Sequence, residues 1–118
     1  MPNKKTIDFD VVREMALALP DVEEGTMHGG PALRVRGNLL TCPAIHQSAE
    51  PNSLAVRIDV DQRAELIAAE PSVYYVTDHY VNHPVVLVRL SAIDRSTLYD
   101  LLERAWRFTS SKKKVRRG

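Results

Sequence analysis

A chain of 118 residues, 44% apolar and 26% charged, has the makeup of one globular domain. That balance excludes a disordered chain, and a single cysteine, Cys42, excludes an internal disulfide framework. The formal net charge of +1 is unevenly divided: residues 6–111 hold nine arginines against fifteen carboxylates, net −6, whereas the last seven, KKKVRRG, carry five positive charges.

No apolar run approaches the length of a membrane span, and the basic N-terminus, MPNKKTIDFD, leads into a charged segment rather than an apolar one. The sequence therefore reads as a cytoplasmic protein with no membrane partner. Residues 1–111 read as one domain and residues 112–118 as a basic tail that like charges keep extended.

Residues 8–19, DFDVVREMALAL, predict a first helix, with Phe9, Val12, Ala16 and Leu19 at helical spacing. Thr6 or Asp8 can cap it and Pro20 stops it. The polar, glycine-rich DVEEGTMHGGP predicts a loop whose His28-Gly29-Gly30-Pro31 bends into the first strand. ALRVR, residues 32–36, alternates as a half-buried strand does; Gly37-Asn38 supplies a hairpin turn, and residues 39–41 continue as a second strand. HQSAEPNS, residues 46–53, is a polar turn, and LAVRI, residues 54–58, a third strand.

Asp59 caps a second helix with apolar positions Val60, Ala64, Ile67 and Ala68, ended by Glu70-Pro71. SVYYV, residues 72–76, suits a short strand, and VVLVRL, residues 85–90, a central one. Asp94 caps the last helix, whose Leu98, Leu101, Leu102, Ala105 and Trp106 share a face, Trp106 being the largest side chain available to the core.

The order α-β-β-β-α-β-β-α predicts an α+β fold: a two-layer domain with a mostly antiparallel sheet, helices on one face and the other face partly open. Period-two alternation places Arg34, Arg36, Arg57 and Arg89 on that open face. Guanidinium groups match phosphates and carboxylates, so these four arginines are candidate nucleic-acid contacts. Lys112, Lys113, Lys114, Arg116 and Arg117 of the tail would add non-specific attraction to the DNA backbone. The plainer alternative is ordinary surface arginines paired with neighbours such as Asp59, and a tail that serves solubility.

Signatures for dinucleotide, P-loop, serine-hydrolase and zinc-protease chemistry are missing, and neither a cofactor nor a metal is implied. The His-Gly-Gly at 28–30 lacks the nucleophile elbow that would make it an esterase oxyanion loop. Cys42 and His46, across Pro43, can be written as a nucleophile–base pair, although a lone cysteine is more often a small buried apolar group.

VTDHYVNHP, residues 76–84, sets His79 and His83 four apart with Asp78 as a third conceivable ligand. That spacing serves a metal only on a helix, and Val76, Thr77 and Pro84 all disfavour one. An ordered turn in which His79 or Tyr80 hydrogen-bonds backbone is the expectation. A pocket around His28, His79, Tyr80 and His83, serving an enzyme or a small-molecule binder, is a second functional reading. A protein-interaction module that uses the open sheet face or an edge is a third.

The ordered series "ALALPDVEEGT", "GGPALRVRGNLL", "VRIDVDQRAELIAAEP", "YYVTDHYVNHPVVLVRL" and "LYDLLERAW" resembles the MmcQ/YjbR family of small bacterial proteins over about residues 8–107. The resemblance implies a compact α+β fold related to a double-wing DNA-binding arrangement, no established catalysis, and members often labelled DNA-binding. Where the family often has a lysine and an aromatic after the hairpin glycine, this chain has Asn38 and Leu39, and so loses the positive charge at that position.

Overall fold

The computed structural model describes residues 7–27 and 29–111. Thr6, His28, Lys112, Lys113, Lys114, Arg116 and Arg117, singled out above, lie outside the described residues.

Helix α1, Phe9–Leu17, begins where the Asp8 carboxylate accepts the Val11 N–H at 3.2 Å. It buries Val12 and Ala16. Strand β1, Val22–Met27, follows where a loop was expected. Its Glu23, Glu24 and Gly25 give it no apolar alternation, so it forms because β2 offers a partner ladder. It lies at the sheet edge, where charged side chains discourage further pairing.

Strands β2, Gly30–Val35, and β3, Asn38–Pro43, form a hairpin in which Val35 faces Asn38. The two-residue turn is therefore Arg36-Gly37, one position earlier than the sequence suggests. Both residues have positive φ (53° and 84°), as a type I′ turn requires. Strand β4, Ser53–Arg57, leads through the Asp59 cap into α2, Val60–Ala69. Strands β5, Tyr74–Tyr75, and β6, Val85–Arg89, precede α3, Arg95–Ser110, capped by Asp94.

The element order is thus α-β-β-β-β-α-β-β-α, one strand more than expected. The six strands form a single antiparallel sheet ordered β1-β2-β3-β4-β6-β5. The two-layer α+β architecture holds. Leu33, Leu54, Val56, Val86 and Val88 meet Val12 and Ala16 of α1 and Leu98, Leu101, Leu102 and Ala105 of α3 in one core.

Two packing expectations are corrected. Trp106 is only partly buried at the core margin, and its indole N–H donates to the Pro20 carbonyl at 2.8 Å. Helix α2 buries no residue fully: Val60, Ala64 and Ala68 are exposed, and Leu66 with Ile67 makes its packing face. Among the described residues, no helix is long and apolar enough to cross a membrane.

Candidate functional site

Pleat alternation determines what the second face of the sheet carries. In β4 and β6, Leu54, Val56, Val86 and Val88 point into the helical core, so Ala55, Arg57, Val85, Leu87 and Arg89 point the other way. In β3 the alternation breaks. Thr41 faces Leu33 but Leu39 faces Arg34, so one extra residue is inserted there. The bulge keeps Leu40 in the core and brings Leu39 and Cys42, three apart in sequence, to the same open face.

Two connections rise over this face. Residues 44–52 join β3 to β4, and residues 76–84 join β5 to β6. Each is held by specific bonds. Arg63 of α2 donates to the carbonyls of Val81, His83 and Val85 at 3.3, 2.9 and 3.2 Å, which fixes the second connection from below. Glu50 of the first connection accepts two bonds from Arg89, both at 2.8 Å, while its own N–H donates to the Tyr75 hydroxyl. The Arg89 hydrogen bonds hold the Glu50 carboxyl below the usual carboxylate range and raise the Arg89 guanidinium.

The two connections meet in a ring cluster. His46 stacks on His79 with centroids 3.5 Å apart and planes 6° from parallel, and Tyr80 sits edge-on to both. The His46 Nδ1 accepts the Ser48 N–H at 3.0 Å. A backbone N–H can only donate, so Nδ1 is the acceptor and Nε2 is the remaining ring position. Ser48 Oγ bridges onward to Thr77 Oγ1 at 2.8 Å, and the Tyr80 hydroxyl accepts the His46 N–H at 3.4 Å.

Between the connections and the sheet lies a cleft of about 850 Å³. Its floor is Leu39, Cys42, Ala55, Arg57 and Val85; Met27, Pro31, Pro43, Ile45 and Pro84 give apolar walls, and His46, Gln47, His79, Tyr80 and His83 give a polar side. The volume falls in the range of small-molecule sites, as does the pattern of apolar lining with a few polar groups.

Of the four residues named for a pocket, His79, Tyr80 and His83 line this cleft together with His46, while His28 lies outside the described residues. Residues 77–81 make one helical turn, with both Tyr80 and Val81 N–H bonding Thr77 O, and the turn ends before Pro84. The expected ordered turn is thus found, with the Tyr80 hydroxyl bonded to backbone. Among the described residues, no group of three histidines, cysteines or carboxylates is placed to hold a metal.

Cys42 and His46 both line the cleft. Burial pushes the Cys42 thiol up, outweighing the pull of Arg34, which works against a thiolate nucleophile.

The four sheet arginines divide. Arg36 is in the turn rather than on the sheet face, beside Asp21 at 3.5 Å. Arg34 donates to the Thr26 carbonyl across β1. Arg89 is bound by Glu50 and the Pro71 carbonyl and lies 4.3 Å over the Tyr75 ring. Only Arg57 of the four opens into the cleft.

The sequence reading weighed His46 only as a partner for Cys42, in a segment otherwise read as a polar turn, and missed its meeting with His79; nine residues between antiparallel strands is long for a hairpin connection, and that length was the available signal. Arg63 lies on a helix surface, and nothing local in the sequence marks its bonds to a segment eighteen or more residues away.

A family model described as YjbR matches residues 17–108. Uncharacterized protein Mb2600 of Mycobacterium bovis is 39% identical to this chain over 71 residues, covering 57% of this chain and 55% of that protein. Uncharacterized protein Rv2570 of Mycobacterium tuberculosis matches with the same values. The chain thus spans about half the length of the curated relatives it matches. The crystal structure of Deinococcus radiodurans protein DR2400, a DUF419 domain, superposes with a TM-score of 0.73 at 20% identity, covering 91% of this chain and 81% of that one. At that identity the likeness is one of fold.

Proposed function

The chain belongs to the YjbR family, and on that premise we propose that it is a non-catalytic binding protein whose ligand is a small organic molecule held in the cleft. The observation that carries this is the cleft itself. A sheet face left uncovered by helices is roofed by two connections that are pinned by Arg63, by the Glu50–Arg89 pair and by the His46–His79 stack. Such pinning holds the cavity open before a ligand arrives, so binding orders little and loses little entropy. Burial raises the Cys42 thiol, which works against a thiolate nucleophile in the cleft.

The test uses a neutral, environment-sensitive dye, N-phenyl-1-naphthylamine. It should brighten on the native protein and slow alkylation of Cys42, which lines the cleft. A dye that neither brightens nor shields Cys42 would overturn the reading.

Nucleic-acid contact, implied by the family resemblance, has a different basis. Arg34, Arg36 and Arg89 are committed to internal acceptors, so the support is the five positive charges of residues 112–118. In that reading, duplex DNA binds at low salt and weakens steeply as salt rises. A full-length variant with Lys112, Lys113, Lys114, Arg116 and Arg117 changed to Gln then loses the binding. Retention by the variant would return the interaction to the folded body.

A further inference from the structure

The cleft has a polarity that the fold does not require. Residues 6–111 carry net −6, yet no Asp or Glu is among the described residues that line the cleft. Its fixed charge is Arg57, joined by three imidazoles at the polar side. Arg57 lies on β4, an interior strand, opposite Val85 and two residues from Ala55, so its stem rises from an apolar floor. Its Nε is buried without a hydrogen-bond partner, and among the described residues its guanidinium has neither ion pair nor hydrogen bond. Arg34 and Arg89 on the sheet and Arg36 in the turn all have acceptors.

A buried guanidinium N–H without an acceptor is a destabilising feature. An acceptor arriving from outside would remove that cost. We propose that the ligand is a monocarboxylic acid with an apolar body: the carboxylate is bound by the Arg57 fork, and the body lies along Leu39, Pro31 and Ile45. The inference rests on the cleft being the binding site. The guanidinium geometry matches two carboxylate oxygens. One fixed cation balances one negative charge, which favours a carboxylate over a phosphate monoester carrying nearly two. The apolar walls exclude a small polar acid that would leave them wet.

The experiment is displacement of N-phenyl-1-naphthylamine from the full chain by decanoate, decanol and decyl phosphate, with Cys42 alkylation as the reporter of location. Decanoate should displace the dye at a concentration at least about tenfold below that of decanol, the usual scale for a charge-assisted hydrogen bond. Arg57→Met should bring the decanoate and decanol displacement concentrations, both read within the variant, to within about twofold of each other. If decanol matches decanoate while the dye still shields Cys42, the cleft stands and the carboxylate inference falls. If decyl phosphate outcompetes decanoate about tenfold or more, the monoanion assignment falls. If the dye never shields Cys42, both readings fall together. Should Arg57→Met not fold, the comparison of decanoate with decanol on the unaltered protein decides alone.

Discussion

The two faces of the sheet carry side chains from the same strands and do opposite things with them. On one face Leu54, Val56, Val86 and Val88 are fully buried under α1 and α3, and the space is filled by interdigitated aliphatic groups. On the other, Ala55, Arg57 and Val85 lie beneath two connections that stand off the sheet and leave a cavity. The first arrangement gains stability from removing apolar area from water. The second leaves apolar area uncovered, and polar tethers at the rim keep it that way. A strand two residues out of register would serve either face equally; a shift of one residue would exchange them and destroy both.

The contrast is sharpest in paired truncations. Leu54→Ala on the filled face should cost about 2–5 kcal/mol of unfolding free energy, because it removes packed atoms and leaves a void. Leu39→Ala on the open face should cost less than about half of that while weakening dye binding, since its side chain is only half-buried. Urea unfolding of both variants checks the pair, and equal losses would erase the distinction between the faces.

Asp94→Ala removes the carboxylate that accepts the Thr97 N–H at 2.8 Å at the start of α3. It should cost about 1 kcal/mol and leave dye affinity unchanged, since α3 covers the filled face only. Arg63→Met should do the reverse. It frees the carbonyls of Val81, His83 and Val85, so amide exchange at Tyr80, Val81 and His83 should accelerate and dye affinity should fall, with little change in global stability. A uniform rise in exchange across the sheet would show that the tether supports the whole fold.

The smallest effect concerns pH. The Glu50 carboxyl lies lower in the folded chain than its ordinary value of 4.5, because Arg89 hydrogen-bonds its charged form. A group lowered on folding contributes stability above its unfolded value and loses it as pH falls through the folded one. Thermal midpoints should therefore drop as pH falls below 4.5, and Glu50→Gln should flatten part of that fall. Both groups face solvent in part, so the change is modest. An identical pH profile in the variant would remove this pair from the rim's support.

Periodicity and capping chemistry made the helices, the central strands and the two-layer plan legible. Asp8, Asp59 and Asp94 cap as expected, because a carboxylate just ahead of an apolar-periodic segment is a local signal. Local signals failed at Val22–Met27, where Glu23, Glu24 and Gly25 give no alternation and only pairing with β2 makes a strand. They failed again at Asn38–Pro43, where one inserted residue reverses which side chains face the cleft. In VTDHYVNHP the ordered turn expected before Pro84 begins at Thr77, whose carbonyl accepts both the Tyr80 and the Val81 N–H.

By itself the sequence determined an α+β domain with a helix-covered sheet, a mildly acidic body with a basic C-terminal run, and membership of a family. These follow from properties that a residue and its near neighbours carry. Only the tertiary structure decided that His46 lies on His79, that Glu50 binds Arg89, and that Arg57 opens into the cleft without an acceptor among the described residues. Those contacts join residues about thirty to forty apart, and chain closure over such separations is set by how strands pair and where a bulge falls, which no local pattern encodes.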